Sequence, residues 1–299
     1  MQSEALNFKN AARGAIADPN LRQALSNLET GFVAARSRAA AGLDEFEAMR
    51  DVAVDLKNHI LANMDFYLAR FEERVVAQGG TVHFCATAEE ARQTILDVCR
   101  DYGAKTVTKG KSMVAEEIAL NPFLEANGVE PIETGLGENI IQLAEEPPSH
   151  IIGPAVHKTK DQVSDLFHEH HGKYGKTERL TEPEDLVNEA REILRQKYFD
   201  ADVGITGANF LIAETGSTII VTNEGNGDLT QMLTPAHVVI SSIDKVVPTL
   251  EDVSTILRVL ARSATGQEMS AYTTLSTGPK RDGDLDGPGG FHVVLLDNG

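Results

Sequence analysis

Three segments carry residue types and spacings that could do chemistry. Lys109-Gly110-Lys111-Ser112 lies between a β-like run and a helical one. That placement aims unpaired N–H groups, a helix dipole and two ammonium groups at one spot, an arrangement that favours an anion. A plain strand-to-helix turn with Ser112 as N-cap accounts for the same residues. A P-loop is excluded, because that pattern needs glycine where Lys105 stands.

Glu214-Thr215-Gly216-Ser217 follows the apolar run Phe210-Leu211-Ile212-Ala213. A carboxylate buried against such walls would have a raised pKa or need a partner, and either condition suits a nucleophile or a proton shuttle. The alternative is that Glu214 accepts backbone N–H bonds in a tight turn. Asn223-Glu224-Gly225-Asn226-Gly227-Asp228 follows the next strand-like run. Its glycines let a backbone approach a ligand closely, though Asn-Gly pairs are also common turn residues. Loops at strand ends of an open α/β sheet gather at one crevice, so the three segments together predict one site. Its anion-binding residues are Lys109, Gly110, Lys111, Ser112, Thr215, Gly216, Ser217, Asn223, Gly225 and Asn226, with Glu214 as the catalytic candidate.

Other suggestive strings fail on spacing. Gly135-Leu136-Gly137-Glu138 is not a dinucleotide fingerprint, since Ile140 occupies the third glycine position. His168 and His171 could share a cation across a helix end, but no third ligand is identifiable, and histidines there also complement the helix dipole. Asp282-Gly283-Asp284-Leu285-Asp286-Gly287 opens like an EF-hand loop, yet Val293 stands where the bidentate Glu is required. No metal is expected. Cys85 and Cys99 read as small core hydrophobes, and two cysteines cannot by themselves hold an iron–sulfur cluster.

The elements that must position these residues follow from periodicity. Residues 1–80 read as a helical extension. Leu21, Leu25, Leu28 and Phe32 share a face, and Asp18-Pro19 supplies a start. From Leu43 to Gln78 neither Gly nor Pro interrupts a stripe running from Phe46 to Val75, ended by Gly79-Gly80. It predicts one long helix or two in tandem, packed on the rest of the protein rather than on a coiled-coil partner. Residues 81–299 alternate. Strands are expected at 81–86, 105–108, 129–134, 203–206, 210–213, 218–222, 237–241, 271–275 and 292–296, and helices at 87–102, 112–127, 159–171, 182–200 and 249–263. This predicts an α/β domain with a mainly parallel central sheet and a mixed part after residue 203.

Composition sets limits. Of 299 residues, 45 are acidic and 27 basic, a formal charge of −18. Nucleic acid and anionic lipid are therefore poor partners. No apolar run is long enough to span a bilayer, and the first residues lack the apolar stretch of a signal peptide, so the cytoplasm is the expected compartment. The chain stops just after a strand, which fits a natural terminus or a cut at a domain boundary.

The runs 108–158 (TKGKSMVAEEIALNPFLEANGVEPIETGLGENIIQLAEEPPSHIIGPAVHK), 204–229 (GITGANFLIAETGSTIIVTNEGNGDL) and 291–299 (FHVVLLDNG) resemble the lactate-utilisation iron–sulfur protein B family and its LUD domain. The resemblance implies a fold related to ribose-5-phosphate isomerase and class I CoA transferases. It also implies a part in oxidising L-lactate to pyruvate beside a second LUD protein and a cysteine-rich iron–sulfur protein. In that family [4Fe-4S] clusters belong to a cysteine-rich region that would begin where this sequence ends, so no cofactor is expected in this chain. Two readings follow. One is a LUD subunit that holds a small anion and docks its sister proteins. The other is a CoA transferase- or sugar-phosphate isomerase-like enzyme working through Glu214.

Overall fold

A computed structural model describes residues 5–149 and 153–298. The first four residues of the expected extension and Gly299 lie outside the described residues. Six parallel strands form the central sheet, in the order β1-β10-β7-β4-β2-β3. They are β1 (Thr81–Cys85), β2 (Thr106–Lys109), β3 (Glu130–Glu133), β4 (Val203–Thr206), β7 (Ala236–Ser242) and β10 (Gly290–Leu296). A smaller mixed sheet, ordered β8-β5-β6-β9, holds β5 (Phe210–Ile212), β6 (Ser217–Thr222), β8 (Val246–Val247) and β9 (Tyr272–Ser276).

Two cores cover the two faces of the central sheet. On one face Val107, Val203, Ile205, Val238, Ile240 and Val294 meet Ile95, Leu96 and Cys99 of the helix Ala88–Asp101 and Leu120 and Leu124 of the helix Leu120–Ala126. On the other, Val239, Phe291, Val293 and Leu295 meet the smaller sheet through Leu211, Ile212, Ile219 and Val246. Ile60, Phe71 and Val75 join this second core from the helices Phe46–Ala62 and Met64–Ala77. The N-terminal stripe thus packs on the protein, in two tandem helices that break at Asn63. Asp18 accepts from the backbone N–H groups of Asn20 and Leu21 at 2.8 and 3.2 Å, the start that Asp18-Pro19 predicted.

Three departures from the expected elements have identifiable causes. The helix expected over 112–127 is two, Met113–Glu117 and Leu120–Ala126, with Ala119 between them at φ 52°. Pro122 explains the break: it has no N–H to donate, and its ring would strike the carbonyl of Ile118 in a continuous helix. Asn226–Met232, expected as a turn, is a short helix entered through Gly225 at φ 72°. Tertiary contact holds it, since a Cβ on Gly204 would lie 1.9 Å from the Thr230 carbonyl oxygen. The two-residue β8 is too short for periodicity to reveal.

Candidate functional site

β2 and β4 are parallel neighbours, with Lys109 beside Ile205. After β2 the chain turns to the helix Met113–Glu117 on the first core's face; after β4 it turns to β5 on the second. Loops that leave adjacent strand ends toward opposite faces create a topological switch point, where open α/β sheets hold their ligands. The loops meet closely here. A Cβ on Gly207 would lie 2.8 Å from the Lys111 carbonyl oxygen, and one on Gly110 would lie 3.8 Å from the Gly227 Cα. The 109–112 and 223–228 segments therefore converge, as the sequence predicted.

The two lysines of this loop have opposite surroundings. Lys109 is buried, and its Nζ lies against Glu116 and 2.8 Å from Glu133 Oε1. Burial disfavours its charge, but Glu133 and then Glu116 outweigh that and hold its pKa above the ordinary lysine value. Glu133 is pushed upward by burial, with Lys109 opposing and Glu116 adding to the shift. One cation facing two carboxylates cannot neutralise both, so the trio favours keeping a proton. Asn121 donates to the same Glu133 oxygen at 2.6 Å. Lys111 is half-buried and forms no ion pair within 4 Å among the described residues. It acts on Glu138, whose pKa burial raises, with Lys111 pulling it back.

Beside the switch point lies a cleft of about 760 Å³ lined by Lys111, Ser112 and seven glutamates: Glu116, Glu117, Glu125, Glu133, Glu138, Glu145 and Glu146. The expected hollow was electropositive; the observed one is acidic. Sequence reasoning counted two lysines and missed the carboxylates that converge on them from β3 and from the helices Met113–Glu117 and Leu136–Leu143. The strand-end position of Glu133 was the available signal. Ser112 caps the helix Met113–Glu117 by accepting from Ala115 N–H at 3.2 Å. Under the loop, Thr134 donates to the Lys109 carbonyl at 2.9 Å and accepts from Asn226 Nδ2 at 3.3 Å. Tyr198 is buried nearby, and burial pushes its pKa up to about 12.

The 214–217 segment is elsewhere. It forms the hairpin turn between β5 and β6, while 223–228 leaves the other end of β6, ~17 Å away by the rise of an extended strand. Glu214 is exposed rather than buried against apolar walls, and its own N–H donates to the Pro248 carbonyl at 3.0 Å. Thr215 and Ser217 bond to each other at 2.8 Å, and Ser217 to Thr277 at 2.6 Å. Gly216 presses on the helix Met64–Ala77, where a Cβ would come within 2.5 Å of the Val75 nitrogen. Neither Glu214, Thr215, Gly216 nor Ser217 lines the acidic cleft, so the segment is not its opposite wall. Asn223 is exposed and meets Gln267 at 3.3 Å.

The remaining candidates resolve locally. His171 is buried and pairs through Nδ1 with Glu189 at 2.8 Å, and no group of three or more metal-ligating side chains exists among the described residues. Cys85 and Cys99 are buried thiols, and burial pushes Cys99 up to about 12. Two such cysteines do not fit an iron–sulfur cluster, which needs about four thiolates. No helix among the described residues is long and apolar enough to cross a membrane.

The sequence matches a known family: the LUD domain aligns with residues 68–296. The chain belongs to the LUD domain family. It is 44% identical over 293 residues to Lactate utilization protein B of Bacillus subtilis (strain 168), covering 98% of this chain and 60% of that protein. It is 43% identical over 300 residues to Lactate utilization protein B of Geobacillus sp. (strain WCH70), covering 100% and 62%. The chain thus spans about six-tenths of the length of the curated relatives it matches. A crystal structure of a DUF162 family protein from Deinococcus radiodurans aligns with a TM-score of 0.43 and 14% identity, over 78% of this chain and 98% of that one. The LUD match begins at residue 68, inside the helix Met64–Ala77, which the second core also includes.

Proposed function

We propose that this chain is the LUD-domain portion of an iron–sulfur subunit in a system that oxidises L-lactate to pyruvate, where it docks sister subunits. The observation that carries this reading is 43–44% identity along 98–100% of the chain to proteins named for lactate utilization. Electron-carrying clusters belong to other parts of such a system, because the two buried cysteines here cannot build one. Within this role Lys111 is the group that meets a small anion. It lines the cleft, sits at the switch point and has no ion-pair partner among the described residues, whereas Lys109 is held by Glu116 and Glu133. Glu138 lines the same cleft, and protonation of that carboxyl removes the repulsion an incoming carboxylate would meet. Anion binding at Lys111 therefore strengthens as pH falls.

The test is a chimera in which this chain replaces the 293-residue matching part of the Bacillus subtilis protein in a strain lacking its own copy. Growth on L-lactate should be restored, and the Lys111→Ala chimera should grow poorly at equal expression. A soluble chimera that gives no growth sinks the lactate role. Normal growth of the Lys111→Ala chimera removes the anion site alone.

A further inference from the structure

A second pocket, of about 520 Å³, is lined by residues of β7, β9 and β10, of the helix Asn226–Met232 and of the loop that follows β9. It shares no lining residue with the acidic cleft, and its volume is that of a small-molecule site. His237 of β7 reaches it with an unused polar atom. The residue is 1% exposed, its Nε2 lies 2.7 Å from Thr206 Oγ1, and its Nδ1 has no hydrogen-bond partner among the described residues. Buried polar groups are nearly always paired, so such an atom beside an open volume asks for an occupant. Thr274 and Ser276, which also line the pocket, already donate to Asp228 and Gln231.

The Thr206 contact fixes what Nδ1 offers. Were Nε2 to carry the ring proton, it would donate to Thr206 and leave that buried hydroxyl proton without an acceptor among the described residues, and Nδ1 without a donor. With Thr206 donating to Nε2, the ring proton sits on Nδ1 and only one group is left unpaired. Burial pushes the pKa of His237 down to about 3, so the ring is neutral. The pocket therefore presents an uncharged N–H donor beside the apolar Phe291, Met232 and Leu275. The charges of its loop cancel, Lys280 and Arg281 against Asp284 and Asp286.

We propose that this pocket binds a small uncharged molecule through a carbonyl oxygen that accepts from His237 Nδ1–H, with the apolar part of the molecule against Phe291, Met232 and Leu275. A carbonyl supplies the missing acceptor at no cost in buried charge. A carboxylate would meet the same desolvation that keeps the imidazole neutral, with no buried cation to offset it. The site is independent of the lactate reading, since its residues are not those of the acidic cleft.

Nuclear magnetic resonance of the full chain, isotope-labelled at histidine nitrogens and at methyl groups, tests this with isobutyramide and isobutyrate as probes of one shape and different charge. At neutral pH His237 should show a protonated Nδ1 and a bare Nε2, and isobutyramide should shift the Nδ1–H resonance saturably. Isobutyrate should bind at least ~10-fold more weakly. His237→Phe should weaken isobutyramide about 3–10-fold, the worth of one hydrogen bond, read at the Leu275 methyls. Met232→Trp crowds the pocket from a 39% exposed position and should weaken binding with the His237 tautomer unchanged, a second variant should His237→Phe perturb folding. A bare Nδ1, no saturable shift (a pocket that holds water only), equal binding of isobutyrate, or binding indifferent to both variants would each overturn the proposal.

Discussion

The tripeptide Glu-Thr-Gly occurs at 133–135 and again at 214–216, each time after an apolar residue at a strand end. The two copies have opposite fates. At the end of parallel β3, Glu133 is buried under Asn121 and Lys109, and Thr134 is the hub that ties Lys109, Asn226 and Thr230 together. In the β5–β6 hairpin, Glu214 projects into solvent, and Thr215 closes the turn. Residue type and local hydrophobicity are alike; the topology that follows each is not. A parallel strand end is covered by neighbouring loops and helices, whereas a hairpin turn is a surface feature by construction of the chain reversal.

The largest expected effect tests the buried member. Lys109→Met leaves Glu133 and Glu116 without their cation and should cost about 3–5 kcal/mol in chemical denaturation. Lys111→Ala, two residues on, should stay within ~0.5 kcal/mol of the parent. Equal effects would erase the distinction between the two lysines.

The two glycines give the next test. Gly216 has φ 72° and no room for a Cβ beside the Val75 nitrogen, so Gly216→Ala should cost more than ~2 kcal/mol in thermal or chemical unfolding. Gly135 has φ −73°, and the atom its Cβ would strike is the far end of the Glu138 side chain, which can swing away. Gly135→Ala should cost about 1 kcal/mol or less. A reversed order would mean the hairpin turn is not fixed against the helix Met64–Ala77.

The smallest effect is a pH slope. Burial raises the folded-state pKa of Glu133 above its unfolded value, so its contribution is present below the ordinary carboxylate range and declines as pH rises through the folded pKa. Glu133→Gln should flatten that decline when unfolding free energy is followed from acid to neutral pH. His237 acts with the opposite sign. Burial pushes its pKa down to about 3, so its contribution is present above 6.5 and falls as pH drops from there toward 3. The Glu133→Gln profile should therefore keep its acid limb. Loss of both limbs together would show that the slope arises from global charge instead.

Much of the fold was legible because it depends on short-range rules. The Asp18-Pro19 start and the alternation from β1 to β10 both follow from propensity, capping and periodicity. The convergence of 109–112 with 223–228 was expected from loops of one parallel sheet but has another cause: 223–228 leaves antiparallel β6 of the smaller sheet, and close approach at Gly110 and Gly227 joins the two loops. The sign of the cleft was not. Lys109 and Lys111 sit in one loop and advertise a positive site, while Glu116, Glu133 and Glu138 arrive from three separate elements. No spacing rule brings them together.

The chain by itself determined where most helices and strands begin, that most strands run parallel, and that one loop would carry two lysines at a strand-to-helix junction. Those features rest on backbone sterics and on hydrophobic periods of a few residues. Tertiary structure alone decided which lysine is neutralised and which Glu-Thr-Gly is buried. Burial and Coulomb interaction depend on distance in space, and residues seven to more than a hundred positions apart set those distances here.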